Sequence, residues 1–491
     1  MEEYILTLDQ GTSSSRALLV GKDGQAVDLA QREFTQFYPK PGWVEHDPME
    51  ILNSQLAVIE EVLQKSKVSI NQIAGVTITN QRETVVFWDH QTGKPVYPAI
   101  VWQDQRTASW CQKMKETPLA TLVKEKTGLV LDSYFSASKM KWVLEEVPEA
   151  ADLLKKGRLR SGTIDAWLIY KLSDKFHFTD STNASRTMLW NIHSKDWDKD
   201  LCEKFNIPQE ILPEVKDSMS HFCELIILDK RVPLVAVAGD QQAALFGQLC
   251  FRDGDVKNTY GTGCFTLMNV GDAPVSSKGK LLSTVAWSRD GAYKYAVEGS
   301  VFIAGAAIQW LRDGLRIIDY SDESEFHANK TNANEVVVVP AFAGLGAPYW
   351  DMKAKGAIFG LTRDSGKSEI IKATLQSLAF QTKDLIDAMQ EEGGMTITKL
   401  RVDGGASSND WLMQFQADML NSLVERPKNV ESTAMGVSFM GGMVLNWWTE
   451  KTLLEQESKT TVFEPRMDHS DRDQLYNNWH KAVQRTLDWD E

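Results

Sequence analysis

The sequence predicts an α/β protein built from two domains. Strand-like and helix-like segments alternate along the chain, and a short strand–turn–strand unit occurs twice, about half a chain apart. The first unit runs through residues 5–20 and the second through residues 255–268, and each turn is rich in Gly, Thr and Ser. At 491 residues the chain exceeds what a single ordinary core supports. We therefore expect an N-terminal domain over residues 1–250 and a C-terminal domain over 251–491.

The first domain begins with segments typical of a mixed sheet. The apolar β-rich runs predict strands at residues 5–8, 16–20, 25–31, 73–79, 84–88 and 232–238. A helix is predicted over 48–64, because apolar residues recur there close to every 3.6 positions and Asp47-Pro48 supplies an N-cap followed by a first-turn proline. The stretch from 110 to 213 is richer in charge and more helical, and a further helix is predicted at 241–249.

The same kind of pattern restarts in the second domain. Strands are predicted at residues 256–260, 265–268, 293–297, 336–340 and 400–402. Helices are predicted over 302–315, 370–390, 409–420 and 433–448, followed by a polar C-terminal tail.

Composition narrows the functional class. The net charge of −14 argues against a nucleic-acid binder, which usually carries a basic face. The sequence contains no leader pattern and no apolar run long enough to span a membrane, so we expect no membrane insertion. Its five cysteines form no C-x-x-C pair and its eight histidines show no zinc-binding spacing, which favours reduced thiols in a cytoplasmic protein.

The two Gly-rich turns are candidate phosphate sites. Glycine lets backbone N–H groups approach an anion, and Thr12, Ser13 and Ser14 add hydroxyl donors in the first turn. Asp9 ends the preceding strand, where a carboxylate could hold Mg²⁺ directly or through water. Taken alone, this turn could equally be a hairpin with Asx and Ser hydrogen bonds. Together with the second turn, Gly261-Thr262-Gly263, it favours a phosphotransferase that binds a nucleotide between two domains.

Three further groups of residues could bind an acceptor or a nucleoside. Arg82-Glu83 pairs a donor with an acceptor suited to a polyol's hydroxyls, although a surface ion pair is the simpler reading of such a dipeptide. Asp240 ends a strand where a general base could act, or where an N-cap is needed, and Gln241 follows it. The Gly-rich segment 403–409 could carry adenosine at a helix N-terminus, or could be a loop without a ligand.

No Walker A or Rossmann glycine motif occurs in the sequence. Trp102 and Phe265 lie close to these motifs and could line a small pocket, although core packing is the usual role of single aromatic residues.

Together these segments resemble the FGGY family of carbohydrate kinases, in the actin-like ATPase superfamily, and within it the members that act on glycerol. The similarity runs through most of the chain. It is most specific at residues 39–48 (PKPGWVEHDP), 79–84 (TNQRET), 134–142 (YFSASKMKW), 238–248 (AGDQQAALFGQ), 258–264 (NTYGTGC) and 344–351 (GLGAPYWD).

The resemblance implies two actin-like ATPase (ribonuclease H-like) domains with an active-site cleft between them. It also implies the Mg²⁺- and ATP-dependent phosphorylation of glycerol to sn-glycerol 3-phosphate, with closure of the domains around both substrates. The implied contacts to glycerol are Arg82, Glu83, Tyr134, Asp240 and Gln241, with Trp102 and Phe265 facing its carbon backbone and Asp240 acting as the base.

The resemblance also implies a nucleotide site and an assembly. The implied nucleotide contacts are Thr12, Ser13, Ser14, Arg16, Thr262, Gly305, Gln309, Gly405 and Asn409, with Asp9 acting through Mg²⁺. Related proteins form dimers and tetramers, so a homodimer or homotetramer is expected.

Two other functions remain open at this point. One is the phosphorylation of another polyol or a ketose by a kinase of the same family. The other is a non-catalytic, actin-like nucleotide switch, which would need Asp9 and the Gly-rich turns but not Arg82, Glu83 or Asp240.

Overall fold

The computed structural model describes residues 2–276, 280–332, 335–427, 431–455 and 460–489. The strands are β1 Tyr4–Gln10, β2 Ser14–Gly21, β3 Ala26–Glu33, β4 Glu45–His46, β5 Ile73–Asn80, β6 Val85–Asp89, β7 Pro95–Ile100, β8 Leu159–Thr163, β9 Phe178–Asp180, β10 Trp190–Asn191, β11 Asp196–Trp197, β12 Glu214–Lys216, β13 Met219–Ile227, β14 Lys230–Gly239, β15 Val256–Tyr260, β16 Cys264–Gly271, β17 Leu282–Arg289, β18 Ala292–Val301, β19 Val337–Val339, β20 Ala357–Phe359, β21 Lys399–Asp403, β22 Leu423–Arg426 and β23 Thr461–Phe463.

The helices are α1 Pro48–Ser66, α2 Ala108–Lys115, α3 Pro118–Thr127, α4 Ser136–Glu146, α5 Pro148–Lys155, α6 Ile164–Leu172, α7 Ser181–Ala184, α8 Lys199–Phe205, α9 Asp240–Gly247, α10 Gly305–Gln309, α11 Glu323–Lys330, α12 Lys367–Gly393, α13 Asp410–Leu420, α14 Ser432–Val444, α15 Glu450–Glu455 and α16 His469–Val483. The predicted α/β class is confirmed. The predicted strands and most of the predicted helices are present, with ends that differ by a few residues.

Thirteen strands form one large sheet in the order β23-β22-β21-β15-β16-β18-β17-β13-β14-β5-β1-β2-β3. The two halves of the sheet meet between β13 and β17, where Met219 and Arg289 pair in parallel. In the first half, β1 pairs antiparallel with β2 and parallel with β5. In the second half, β15 pairs antiparallel with β16 and parallel with β21. The strand–turn–strand unit that recurs in the sequence thus occupies the same place in each half.

The parallel strands deliver the candidate site residues to one edge of the sheet. Gln10 of β1 and Gly239 of β14 both lie beside Asn80 of β5. In the other half, Thr259 of β15 lies beside Asp403 of β21. Because the carboxyl ends of parallel strands meet at a common edge, the loops that follow these strands converge there.

Helix α14, from the second half of the sequence, packs against elements of the first half. It contacts α9 and the strands β1, β5 and β14, although it lies near the end of the chain. The approach to α9 is very close, since a Cβ atom on Gly436 would lie 1.8 Å from the carbonyl oxygen of Ala243. The Oγ1 of Thr7 and the Oγ of Ser438 are 2.5 Å apart in the buried contact. The division at residue 250, which falls between α9 and β15, stays a prediction.

Two predicted helices have wrong ends. The helix expected over 302–315 begins only at Gly305, because the N–H groups of Ala304 and Gly305 donate to the carbonyls of Thr262 and Gly261 in the second Gly-rich turn. Its second half, Trp310–Gly314, is π-helical. The helix expected over 433–448 ends at Val444, two residues before Asn446 adopts a left-handed backbone conformation with φ of 58°.

The C-terminal segment is not a plain polar tail. It forms α15, β23 and α16, and Trp479 of α16 is fully buried and stacked on Phe380. The apolar positions Leu475, Trp479, Ala482 and Val483 indicate α16 in the sequence. The many polar residues between them mask this pattern.

Candidate active site

The first Gly-rich turn is held in shape by its neighbours. The N–H of Gly11 donates to the carbonyl of Ser14 (2.9 Å), which closes the turn between β1 and β2. The indole Nε1 of Trp102 donates to Thr12 Oγ1 (3.0 Å), and the carbonyl of Ser13 accepts from a neighbouring backbone N–H. Ser13 is exposed and Thr12 is half-buried, so hydroxyl donors face the cleft edge.

The second Gly-rich turn depends on glycine for close packing. A Cβ on Gly263 would lie 2.4 Å from the carbonyl oxygen of Val301, and one on Gly305 would lie 2.5 Å from that of Gly261. Gly305 therefore packs directly against the turn, and its N–H donates to the carbonyl of Gly261 (3.0 Å). Thr262 is exposed, as is Gln309 at the end of α10.

Asp9 is a buried carboxylate at the end of β1, just before the first Gly-rich turn. Its closest cation is Arg16, whose Nη1 lies 3.9 Å away and donates instead to Glu431 Oε2 at 2.9 Å. Burial raises the pKa of Asp9 to about 7, with Arg16 acting in the opposite direction and Asp240 and Glu431 adding to the rise.

A magnesium ion fits this environment. In the described ranges, no group of three or more His, Cys, Asp or Glu side chains is arranged to hold a metal by itself. Mg²⁺ is usually bound by one or two carboxylates together with substrate phosphates and water, which Asp9 beside a phosphate turn could provide. A cation there would also compensate the burial of the charge on Asp9.

Four buried charged side chains form the floor of the cleft. Arg82, in the loop after β5, donates to Glu298 of β18 through Nη1 (2.6 Å) and Nη2 (3.1 Å), and through Nη1 also to Gln242 Oε1. Arg186, just after α7, donates to Glu83 Oε1 (2.7 Å) and Glu298 Oε1 (2.8 Å). Two positive and two negative groups thus compensate one another away from water.

The electrostatics of this network favour the charged forms of Glu298 and of both arginines, whereas burial raises the pKa of Glu83. The pKa of Glu298 falls to about 2, because the attraction of Arg186 and Arg82 outweighs the cost of burial. The pKa of Arg82 is raised well above its ordinary value by Glu298 and Glu83. Glu83 itself has a left-handed backbone with φ of 62°, and Ser136 Oγ donates to its carbonyl (3.0 Å). Such a conformation costs about 1–3 kcal/mol in a non-glycine residue and is common at functional sites.

Asp240 and Gln241 are the first two residues of helix α9, and Asp240 lies next to the four buried charges. Asp240 lies 3.4 Å from Arg82 Nε and keeps 30% of its side chain exposed. Burial within the site raises its pKa, while Arg82 and Lys257 counteract the rise. The N-cap of α9 is Gly239, so the side chain of Asp240 does not cap the helix. Gln241 Oε1 accepts from the ammonium group of Lys257 (2.6 Å).

Aromatic side chains form one wall beside the charges. The rings of Trp102 and Tyr134 meet edge to face with centroids 5.5 Å apart. The guanidinium of Arg186 lies 5.9 Å from the centre of the Tyr134 ring. Phe265 is half-buried on β16, two residues after the second Gly-rich turn.

The segment after β21 lies against the second turn. Gly404 has φ of 86°, and a Cβ there would lie 2.5 Å from the carbonyl oxygen of Tyr260. Around Gly405, in contrast, a Cβ would meet open space. Asn409 is the N-cap of α13, because its Oδ1 accepts from the N–H of Leu412 (2.9 Å). The structure thus gives Asn409 a local structural role in addition to the predicted ligand contact.

The predicted polyol residues Arg82, Glu83, Tyr134, Asp240 and Gln241 meet in one place. Sequence reasoning missed three charged residues that hold them there: Glu298, Arg186 and Lys257. Glu298 stands one residue beyond the predicted strand 293–297, and a carboxylate within an apolar β-rich run was the available signal. Lys257 lies inside the predicted strand 256–260, so a charge within a β-rich run was a signal there too. Arg186 gave no comparable signal, since cations are common in any sequence.

The fold and the site define a two-domain phosphotransferase. Family models describe the same chain in two parts: the N-terminal domain of the FGGY family of carbohydrate kinases matches residues 4–247, and its C-terminal domain matches residues 256–445. The chain belongs to the FGGY family of carbohydrate kinases.

Similar proteins agree with this assignment. A glycerol kinase of Halorhodospira halophila is 52% identical over 494 residues, which cover 100% of this chain and 97% of the relative. A glycerol kinase of Alkaliphilus oremlandii is 52% identical over 497 residues, which cover 100% of this chain and 99% of the relative.

Solved structures confirm the predicted pair of actin-like, ribonuclease H-like domains. A Plasmodium falciparum glycerol kinase solved with ADP has a TM-score of 0.94 and 34% identity, covering 99% of this chain and 98% of its own. A xylulose kinase of Lactobacillus acidophilus shares the fold with a TM-score of 0.88 at 20% identity, covering 98% of both chains. In the part of the chain that the structure describes, no helix has the length and apolar character needed to cross a bilayer.

Replacing Glu298 should test the ionic floor of the cleft. Glu298→Gln removes the negative charge shared by Arg82 and Arg186 and leaves two buried cations with only Glu83 between them. We expect the free energy of unfolding to fall by about 3–5 kcal/mol, the usual cost of breaking a buried ion pair. Urea denaturation measures this change. Asp174→Asn, which breaks the exposed pair with Arg231, should leave the denaturation midpoint unchanged. Equal midpoints for both variants would contradict this account.

The raised pKa of Asp9 predicts a pH dependence of nucleotide binding. Below pH 7 the carboxyl group is increasingly protonated, and a proton there competes with a cation. The affinity for Mg·ADP should therefore fall as pH decreases from 7 toward 5.5, by up to about tenfold per pH unit. Isothermal titration calorimetry across this range measures the effect. Asp9→Asn should bind weakly and lose this additional pH dependence; a wild-type profile identical to that of the variant would refute the assignment.

Proposed function

We propose that this protein transfers the γ-phosphoryl group of ATP to glycerol and forms sn-glycerol 3-phosphate. The observation that carries the proposal is the position of Asp240. This partly exposed carboxylate stands at the carboxyl end of β14, 3.4 Å from Arg82 Nε and next to Gln241. The relatives that match the chain over its full length and at about half of its positions are glycerol kinases, which supports the same acceptor.

Arg82 and Glu83 give the acceptor site its polarity. Both terminal nitrogens of Arg82 are engaged by Glu298, which leaves Nε directed toward Asp240 (3.4 Å) and Glu83 Oε1 (3.7 Å). A triol placed there would receive a hydrogen bond from Nε and donate others to the two carboxylates. A ligand that lacks one of these hydroxyls would leave a buried polar group unpaired, which is the basis of strong discrimination. The rings of Trp102, Tyr134 and Phe265 would contact the carbon backbone.

Asp240 would act as the general base. Its pKa is raised by burial, toward the range in which a carboxylate accepts a hydroxyl proton efficiently near neutral pH. Arg82 and Lys257 oppose that rise and favour the carboxylate form, which can take the proton as the hydroxyl oxygen attacks phosphorus. Phosphoryl transfer demands mainly positioning and charge compensation, which fits a site built from fixed ionic contacts.

The nucleotide would lie between the two Gly-rich turns. Thr12, Ser13, Ser14 and Arg16 would contact its phosphates from one side and Thr262 from the other. Gly305, Gln309, Gly405 and Asn409 would form the wall for the nucleoside, where the open space around Gly405 leaves room for a ligand against the backbone. Magnesium bound at Asp9 would neutralise charge on the phosphate oxygens. Closure of the two domains would exclude water, which competes with glycerol as acceptor.

We further propose that the protein works in the cytoplasm as a homodimer or homotetramer, with the domains divided near residue 250. Five free cysteines, four of them buried, agree with a reducing compartment. The two family-model matches end and begin on either side of the proposed boundary.

A panel of acceptors tests the proposed function. ADP release should depend on glycerol and on Mg²⁺. The kcat/KM with propane-1,2-diol, dihydroxyacetone or xylulose should be at least about 10²-fold lower than with glycerol. The measurement is a coupled ADP assay at equal enzyme concentration. A preference for xylulose would support a ketose kinase of the same family. ADP release without any acceptor dependence would instead support a nucleotide switch.

Replacing the proposed base should slow the chemical step. Asp240→Asn keeps the size of the side chain but cannot accept the hydroxyl proton, so kcat should fall by about 10²- to 10⁴-fold. Single-turnover transfer from ATP to glycerol measures the step directly. Asp229→Asn, an exposed turn position on the β13–β14 hairpin, is the matched control and should retain wild-type turnover. Near-wild-type turnover in Asp240→Asn would remove this residue from the mechanism.

A further inference from the structure

A buried lysine connects the second half of the chain to the acceptor site in the first half. Lys257 is the second residue of β15 and has no exposed surface. Its Nζ donates to Gln241 Oε1 at 2.6 Å and to Thr259 Oγ1 at 3.0 Å. Burying an ammonium group is expensive unless its hydrogen bonds are satisfied, so these two contacts account for much of its placement.

The lysine determines which way the Gln241 amide faces. An ammonium group can only donate, so the Gln241 atom 2.6 Å away must be the carbonyl oxygen, and the NH₂ group must point elsewhere. Among the described residues, the NH₂ group of Gln241 has no hydrogen-bond partner, and Oδ1 of Asp240 already accepts from the Gln241 N–H (2.7 Å). A free amide donor therefore lies beside a carboxylate whose second oxygen, Oδ2, also lacks a partner within the described ranges. One hydroxyl group could satisfy both.

The charges around Lys257 support the same arrangement. Asp403, Asp240 and Glu298 favour its charged form, while burial and Arg82 oppose it, and the net result is a pKa of about 8. The group therefore remains largely protonated at neutral pH. Its charge in turn helps to keep Asp240 ionised.

We propose that Lys257 is a positioning residue for the acceptor: it holds the carbonyl oxygen of Gln241 and so turns the amide NH₂ group toward an acceptor hydroxyl. This inference rests on the proposed function, in which the acceptor is glycerol. Because β15 leads directly into the turn Gly261-Thr262-Gly263, the contact joins acceptor recognition to the strand that carries the second phosphate turn.

Lys257→Met tests the proposal, because methionine has a similar length but neither charge nor donor. We expect the KM for glycerol to rise about 10- to 100-fold, the usual effect of losing a charge-assisted hydrogen bond, while the KM for ATP stays unchanged. Lys372→Met is the matched control. It removes another mostly buried lysine, in α12, whose Nζ donates to the carbonyl of Thr331 (3.0 Å), and it should leave both KM values unchanged.

A double variant separates positioning from general loss of structure. If Lys257 acts through Gln241, then Lys257→Met combined with Gln241→Met should raise the KM for glycerol no further than Gln241→Met alone. Additive effects, or parallel increases in the KM for ATP and glycerol, would overturn the proposal. If Lys257→Met cannot be purified in folded form, Lys257→Gln replaces it with the same expectation, since this neutral side chain is too short to reach Gln241.

The wild-type assay distinguishes a failure of the proposed function from a failure of the role inferred for Lys257. Absence of glycerol-dependent ADP release from the wild-type protein would refute the proposed function and this inference with it. Wild-type turnover of glycerol together with an unchanged KM for glycerol in both Lys257 variants would refute the inference alone.

Discussion

The bidentate ion pair between Arg82 and Glu298 is the contact on which the rest of the site depends. It joins residues 216 positions apart in the sequence and links the loop after β5 in the first half to β18 in the second. Both side chains are almost completely buried, so each charge would be strongly unfavourable without the other. Arg186 and Glu83 extend the pair into a balanced group of four charges. With its terminal nitrogens fixed in this way, Arg82 presents a single direction to a ligand.

Around this group of four charges, two other carboxylates have weaker charge compensation. Asp9 is buried with its nearest cation 3.9 Å away, and Asp240 is partly exposed with one oxygen unpaired among the described residues. Their raised pKa values are consequences of that placement. Such a contrast fits the roles proposed for Asp9 at a cation and for Asp240 as a base, because structural charges must stay paired while groups with those roles must remain available. The strained backbone of Glu83 belongs to the same pattern, since the packing of Ser136 and Arg186 holds it in place.

Much of the fold was predictable because it is specified locally. The apolar β-rich runs at β1, β2, β5 and β14 and the capped helix α1 were predicted close to their observed ends. The start of α10 was not, because residues just before Gly305 bond to a turn more than forty positions earlier in the chain, and no local pattern encodes that contact. Helix α16 was missed for a related reason: its buried Trp479 has its partner, Phe380, on a distant helix.

The sequence by itself determined the chemical types at the site. Glycine turns, an adjacent Arg and Glu, and carboxylates at strand ends are local features, and they carry the class of reaction. Only the tertiary structure decided which charges remain available. Glu298 and Lys257 each lie within a strand and acquire a role from partners brought to them by sheet pairing and by α9. The physical reason is that the cost of a buried charge depends on its surroundings in three dimensions, and those surroundings come from parts of the chain that no single segment contains.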